Sequence, residues 1–242
     1  MYRDIIKGPT FPDRITEKGF VNGDINYCFG LEYIMNGSVL DLSYRHRFND
    51  ANQSINYAEC HDNNTLFDKL VKSNPDEDEE AIYQRVKLAT SLIFLSFGVP
   101  FFHMGQEIDQ SKLGLDNTYN LLKINNMQWD LVDKNYEMVT HFAQHAKLRK
   151  QCKNIQTGDP NVIKDTYKFE RLENGLVMIT VDEKNGNPLY PELKIYINIQ
   201  DKPITLEFDT YQKVLVVNDS KQNPTIKTLL VSPLKTTMVY KA

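Results

Sequence analysis

Two short strand-like runs, each followed by a polar cluster and a helix-like segment, constrain the fold of this chain more than any other feature. The first run is Ile55–Cys60 and the second is Val99–Met104. Both are typical of short β-strands. Two strand–loop–helix units in succession indicate the βα repeat of a parallel sheet or barrel. In such folds ligands meet the chain at the carboxyl ends of the strands.

The strongest helix signal lies between the two runs. Asn74 is predicted to cap its amino end and Pro75 to occupy its first position, while the acidic segment Asp76–Glu80 suits the positive end of the helix dipole. Its apolar residues recur at helical spacing: Ile82, Val86, Ala89, Ile93 and Phe97. A shorter helix is predicted from about Thr65, and another over Lys134–Cys152.

The sequence pattern changes near Gly158, where short runs rich in Val, Ile, Thr and Tyr begin. Seven strands are predicted: Tyr167–Leu172, Leu176–Val181, Leu193–Ile199, Thr205–Phe208, Tyr211–Val217, Thr228–Val231 and Thr236–Tyr240. Asn174-Gly175 separates the first two and is a strong hairpin signal. Strands at this spacing predict an antiparallel β-sandwich. We therefore expect an α/β domain over residues 1–153 and an all-β domain over 158–242.

Charge and composition exclude several classes of protein. The chain has 242 residues, with 28 Lys+Arg against 32 Asp+Glu, a net charge of −4. This balance predicts no nucleic-acid surface, and no apolar run approaches the roughly 20 residues of a membrane span. The cysteines (Cys28, Cys60 and Cys152) are too few and too widely spaced for a disulfide framework or a zinc site, which fits a reducing, cytoplasmic compartment.

The polar cluster after the first run is His61-Asp62-Asn63-Asn64. We interpret Asp62 as an acceptor of hydrogen bonds from substrate hydroxyls and His61 as a donor to them. Together they would hold a pyranose ring on which positive charge develops. In the alternative interpretation Asp62 caps the next helix and His61 packs at a strand end.

A second polar cluster, containing His103, Gln106 and Glu107, follows the second run. If the two strands are parallel neighbours, both clusters lie at the same carboxyl-terminal edge of the sheet or barrel. The alternative for Glu107 is a salt bridge or an anchoring role in its own loop. A metal site is not expected, because the four-residue spacing of His103 and Glu107 requires a helix where the sequence favours a strand.

The long loop after the second cluster carries aromatic residues that suit a sugar face. Tyr119 and Trp129, with Phe67 from the earlier segment, have rings that can stack on the apolar face of a pyranose. Packing in the core is the alternative for each of them.

Several motifs, in order, resemble one known family. A-E-C-H-D-N-N-T-L-F-D-K-L at 58–70 resembles the fourth signature region of the α-amylase superfamily, glycoside hydrolase family 13, in the variant of its type I pullulanase branch. G-V-P-F-F-H-M-G-Q-E at 98–107 is similar to the eighth barrel strand of that branch. The remaining similar segments are D-N-T-Y-N at 116–120, I-N-N-M-Q-W-D at 124–130, R-D-I-I-K-G at 3–8 and G-F-V-N-G at 19–23.

The resemblance implies a (β/α)8 TIM barrel, of which this chain would supply about strands six to eight before the β-sandwich. It implies α-1,6-glucan debranching by a retaining mechanism without a cofactor, on pullulan or branched maltooligosaccharides. By motif match, Asp62 is the carboxylate that stabilises the transition state and His61 is its neighbour. The substrate-binding residues implied in the same way are Asn63, His103, Glu107, Asn117 and Tyr119.

The chain departs from the family in its catalytic motifs. The F-R-F-D motif of the nucleophile and the G-E-P-W motif of the acid are both absent. Only 54 residues precede the strand matched to the seventh, whereas a complete barrel needs roughly 250. We therefore expect the isolated chain to be inactive, and its open barrel edge to recruit a second copy or a chain that carries the missing half. A smaller departure is Ile108-Asp109-Gln110, where relatives often have an aromatic residue and Arg.

Two alternatives stay open at this point. One is a non-catalytic carbohydrate-binding or interaction protein, in which the β domain is the stable unit. The other is an unrelated hydrolase that uses His61, Asp62 and Glu107 on a different scaffold.

Overall fold

The computed structural model describes residues 1–172, 176–182, 190, 192–215 and 224–241. The helices in these ranges are α1 (Tyr2–Lys7), α2 (Cys28–Met35), α3 (Leu66–Ser73), α4 (Glu79–Leu95), α5 (Leu122–Asn125), α6 (Leu131–Lys134), α7 (Tyr136–Gln151) and α8 (Pro160–Thr166). The strands are β1 (Ile55–Asn56), β2 (Val99–Pro100), β3 (Tyr167–Arg171), β4 (Leu176–Asp182), β5 (Glu192–Asn198), β6 (Ile204–Val214), β7 (Thr225–Val231) and β8 (Lys235–Lys241). None of the described helices is both long and apolar enough to cross a bilayer.

β1 and β2 pair in parallel, with Ile55 opposite Val99. They are much shorter than predicted, because only the first two residues of each apolar run form a ladder. The described residues place no third strand beside this pair, and the contact of the Phe101 amide with the Asn56 carbonyl, 2.9 Å, continues the pairing by one hydrogen bond. Residues 1–54, all of them described, contain helices and turns but no strand. Assignment to a TIM barrel therefore stays a prediction.

The helix caps explain where α3 and α4 begin. The hydroxyl of Thr65 accepts the Asp68 amide at the start of α3, 3.1 Å away, which confirms the predicted start. The start predicted for α4 at Asn74 and Pro75 is wrong, since Asp78 is the cap and accepts the Ala81 amide. Asn74 instead ends α3.

α7 matches the helix predicted over 134–152 to within two residues at each end and packs against α4. Arg149, near its carboxyl end, reaches across to the last turn of α4. Its guanidinium donates to the carbonyl oxygens of Phe94, Ser96 and Gly98 at 2.6–2.7 Å. The first carbonyl belongs to the last turn of α4, the second to its cap and the third to the segment just beyond, so the cation satisfies groups that the helix leaves without partners and suits the negative helix end.

The remaining strands form one antiparallel sheet in the order β3-β4-β5-β8-β6-β7. The antiparallel all-β region is thus confirmed, but two of the predicted strands merge into β6, which continues past a register shift between Glu207 and Gln212. The Asn174-Gly175 hairpin and the last two residues of the predicted strand Tyr211–Val217 lie outside the described residues.

The described strands of this region belong to one hydrogen-bonded sheet with two parts, β3-β4-β5-β8 and β6-β7, and the two-layer sandwich stays a prediction. β6 pairs with β7 over most of its length but with β8 only at Gln212–Val214, so one long strand joins both parts. A small apolar cluster lies between the parts: Leu176, Tyr196, Leu229, Val231 and Val239.

The main apolar core runs through both predicted domains. It contains Leu92 and Ile93 of α4 together with Val177, Ile195 and Met238 of the sheet. Helix α8, which the sequence pattern did not predict, lies inside the region assigned to the β domain. The division at 153/158 therefore remains a prediction.

We expect Arg149→Met to lower the free energy of unfolding by about 3 kcal/mol, because it leaves three helix-end carbonyls without their charged donor. Urea denaturation followed by circular dichroism measures this change. Lys150→Met is the matched control, since Lys150 is the adjacent exposed cation and should cost less than about 0.5 kcal/mol. Equal effects of the two substitutions would refute the role assigned to Arg149.

Candidate functional site

His61 and Asp62 lie side by side on the loop between β1 and α3. The imidazole Nε2 is 3.2 Å from a carboxylate oxygen of Asp62, and the two side chains are 73% and 56% exposed. Asp62 does not cap α3, because Thr65 has that role. The pair is therefore free to offer both a hydrogen-bond donor and acceptors to an incoming hydroxyl.

Asn63 fixes the backbone of this loop from within. Its φ angle of 62° lies in the left-handed region, which Asn tolerates better than most residues. Its side-chain oxygen accepts from Arg3 at 2.7 Å and Thr10 at 3.1 Å. Its backbone N–H donates to the side-chain oxygen of Asn117 at 3.0 Å. The structure thus brings Asn63 and Asn117 together, but it occupies the Asn63 oxygen with protein donors, and the predicted contact of both residues with substrate remains a prediction.

His103 reaches the same loop through a residue to which the sequence pattern assigned no role, Glu59. His103 Nδ1 donates to Glu59 Oε1 at 2.7 Å, while Glu59 Oε2 accepts the Leu66 amide at 2.7 Å. Glu59 is only 3% exposed. A buried carboxylate therefore joins the second strand-end cluster to the amino end of α3, where the helix dipole favours negative charge.

Lys7 lies beneath the loop and is almost completely buried. Its ammonium is 3.4 Å from the Asn64 carbonyl oxygen. Burial lowers the pKa of Lys7 to about 8, and the Glu59 carboxylate opposes that shift by favouring the cation. A positive charge thus supports the loop from its protein side.

Glu107 and Tyr119 are not part of this network. The Glu107 carboxylate accepts the amide of Gly105 at 2.8 Å, which agrees with the loop-anchoring alternative, and no described contact joins it to His61 or Asp62. Tyr119 is 67% exposed. Their predicted contact with substrate remains a prediction.

Gln106 and Asp109 carry buried polar atoms that lack partners among the described residues. These atoms are both side-chain polar atoms of Gln106 and one carboxyl oxygen of Asp109. Burial, with a further contribution from Glu59, raises the pKa of Asp109 well above its usual range, which favours a neutral carboxyl there. Within the described ranges no group of three or more His, Cys, Asp or Glu could hold a metal ion.

No family model matches the chain. Among curated proteins it is similar to the pullulanase of Bacillus subtilis strain 168, with 35% identity over 151 residues. That match covers 62% of this chain and only 21% of the relative. The matched segment therefore corresponds to about a fifth of that relative's length.

Solved structures match over the whole chain. One is a pullulanase from Anoxybacillus sp. LM18-11 complexed with maltotetraose, with 27% identity and a TM-score of 0.88. Another is the type I pullulanase of Bacillus subtilis strain 168 complexed with maltose, with 25% identity and a TM-score of 0.92. This chain covers 34% of each.

The class of protein that these matches define is the glycosidases of carbohydrate metabolism. Within that class, both the curated relative and the solved structures are pullulanases. The resemblance that the sequence motifs indicate is thus confirmed.

We expect Glu59→Gln to destabilise the protein by about 1–3 kcal/mol, because a neutral amide cannot accept from both the helix amide and the imidazole. Urea denaturation gives the value. Asp62→Asn is the matched control, because it makes the same carboxylate-to-amide change three residues away at an exposed position. Its expected effect on the free energy of unfolding is within about 0.5 kcal/mol. The anchoring role of Glu59 fails if both variants are as stable as the parent chain.

Proposed function

We propose that this chain is the C-terminal portion of a pullulanase-type glycoside hydrolase and binds α-glucan at the loop 61–64. The observation that carries the proposal is the exposed His61–Asp62 pair, which lies on a loop held in place by contacts with buried residues of the protein. Asn63, Glu59 and Lys7 fix the loop, so the pair is preorganised. In support, structural relatives are complexed with maltotetraose or maltose.

In this proposal Asp62 and His61 hold sugar hydroxyls and stabilise positive charge on the ring during cleavage. His103, Asn117 and Tyr119 extend the binding surface, and Asn63 acts chiefly by positioning the loop. Residues 1–153 would supply about strands six to eight of a TIM barrel, and 158–242 the β domain. A cytoplasmic location is part of the proposal and rests on the cysteine content alone.

A partner that completes the barrel is also part of the proposal. Ile55 and Val99 are 58% and 42% exposed although they face each other across the β1–β2 ladder. Phe101, also 42% exposed, continues this apolar surface. Covering these side chains would release free energy through the hydrophobic effect, so a chain carrying the missing half, or a second copy, is expected to dock there.

We expect His61→Ala and Asp62→Ala each to weaken the binding of branched maltooligosaccharides at least about tenfold, through loss of a hydrogen bond to a charged or polarised group. Isothermal titration calorimetry measures the dissociation constants. His46→Ala and Asp41→Ala are the controls, because they remove a second exposed imidazole–carboxylate pair, with 2.8 Å between its atoms. Unchanged binding in the His61 and Asp62 variants would move the site elsewhere and favour a separate carbohydrate-binding role for the β domain.

We expect the chain alone to release no reducing sugar from pullulan. Retaining glycosidases need a carboxylate nucleophile and a carboxylic acid about 5–5.5 Å apart, and neither family motif is present. A reducing-end assay tests this, with the same chain plus a polypeptide carrying the two missing motifs as the positive arm. Hydrolysis by the chain alone would contradict the proposal, whereas hydrolysis only in the mixture would support the docking partner.

A further inference from the structure

A cavity of about 650 Å³ lies between α4, α7 and the strands β6 and β8. None of its lining residues belongs to the loop 61–64 or to the segment 103–119, so it is separate from the candidate site. Its volume falls in the range of small-molecule pockets, about 300–1,000 Å³. The cavity therefore has room for a ligand of its own.

Two histidines of α7, the half-buried His141 and the buried His145, form one wall, and their hydrogen bonds define which nitrogens carry protons. His141 Nε2 is 3.0 Å from the Lys87 carbonyl oxygen, which can only accept, so this nitrogen is the donor; it also lies 3.1 Å from the Ser91 hydroxyl. His145 Nδ1 likewise donates to the His141 carbonyl, and its Nε2 contacts the Ser91 hydroxyl at 3.0 Å. Burial lowers the pKa of both imidazoles, that of His141 to about 3, so both rings are neutral near pH 7.

A neutral His141 with its proton on Nε2 keeps a lone pair on Nδ1. No described residue donates to that nitrogen, and His141 lines the cavity. His141 thus brings to the wall an acceptor that suits an O–H or N–H group of a ligand. A phosphate or carboxylate oxygen would meet this lone pair with its own, which disfavours an anion at this position.

The rest of the lining mixes donors, acceptors and one exposed ring. Lys235 and Lys87 supply ammonium donors, although Lys87 is also paired with the lining carboxylate of Glu137 at 3.2 Å. Gln144 and Thr140 supply groups that both donate and accept. Tyr136, at the start of α7, is 67% exposed and offers a ring face. Two lysines beside a single open imidazole nitrogen disfavour a metal cation.

We infer that this cavity is a second, non-catalytic binding site for a neutral polyhydroxyl ligand. Such a ligand has hydroxyls that donate to His141 Nδ1, oxygens that accept from the lysines and an apolar face for Tyr136. Its assignment to a short α-glucan rests on the proposed function. The helices α4 and α7 and the sheet would thus hold glucan away from the His61–Asp62 pair.

The experiment is a maltotriose titration of the full chain and of the Asp62→Ala variant, followed by the imidazole nitrogen signals of its five histidines. We expect the His141 Nδ1 signal to shift in both proteins, because a hydroxyl donates to that atom. Thr140→Trp fills the cavity and should weaken this binding at least tenfold. Ala143→Trp, an exposed position on the same helix, should leave it unchanged and controls for folding.

The outcomes separate this inference from the proposed function. A His141 shift without a His61 shift supports the cavity and counts against the first site, whereas the reverse pattern overturns the cavity. A shift with inorganic phosphate but not with maltotriose also overturns it. The inference fails too if Thr140→Trp and Ala143→Trp bind maltotriose equally well.

Discussion

The buried carboxylate of Glu59 is the contact on which the rest of the candidate site depends. It accepts from the first amide of α3 and from His103, and so joins the ends of the two strand–loop–helix units. Burying a carboxylate costs several kcal/mol unless donors replace its water. Here a helix amide, an imidazole and the nearby Lys7 compensate, and each is held in place by the charge that it stabilises. The loop that carries His61 and Asp62 begins two residues beyond Glu59, so its position is fixed at the same point.

The sequence pattern predicted features that depend on local chemistry and missed those that depend on distant partners. The helix at 66–73 follows from apolar spacing and its Thr65 cap, and the helix at 136–151 from apolar spacing alone; neighbouring residues determine both signals. The start of α4 was misplaced because Asn74 and Asp78 are both acceptable caps, and only the packed structure uses Asn74 to donate to the Asn22 carbonyl. The lengths of β1 and β2 could not be predicted, since an apolar run does not show whether a neighbouring strand pairs with it.

The same distinction applies to the site. His61 and Asp62 are adjacent in sequence, so their proximity was evident from the motif. The partners of Asn63 lie about 50–60 positions away, at Arg3, Thr10 and Asn117, and nothing in the local pattern selects them. One signal for Glu59 was available, because a charged residue inside an otherwise apolar run requires a buried partner. The His103 contact is that partner.

The exposed apolar surface at Ile55 and the exposed His61–Asp62 pair belong to the same chain segment. Polar Asn56 is buried and satisfied by Ser54 and by the Phe97 carbonyl, while its apolar neighbour Ile55 is exposed. His61 is six positions after Ile55, which limits their distance to about 20 Å. A partner with an ordinary interface buries about 800 Å² on each side, a patch of roughly 16 Å radius. A partner centred on Ile55 and Val99 would therefore border the His61–Asp62 pair, so that covering the apolar surface and completing the glucan site become one event.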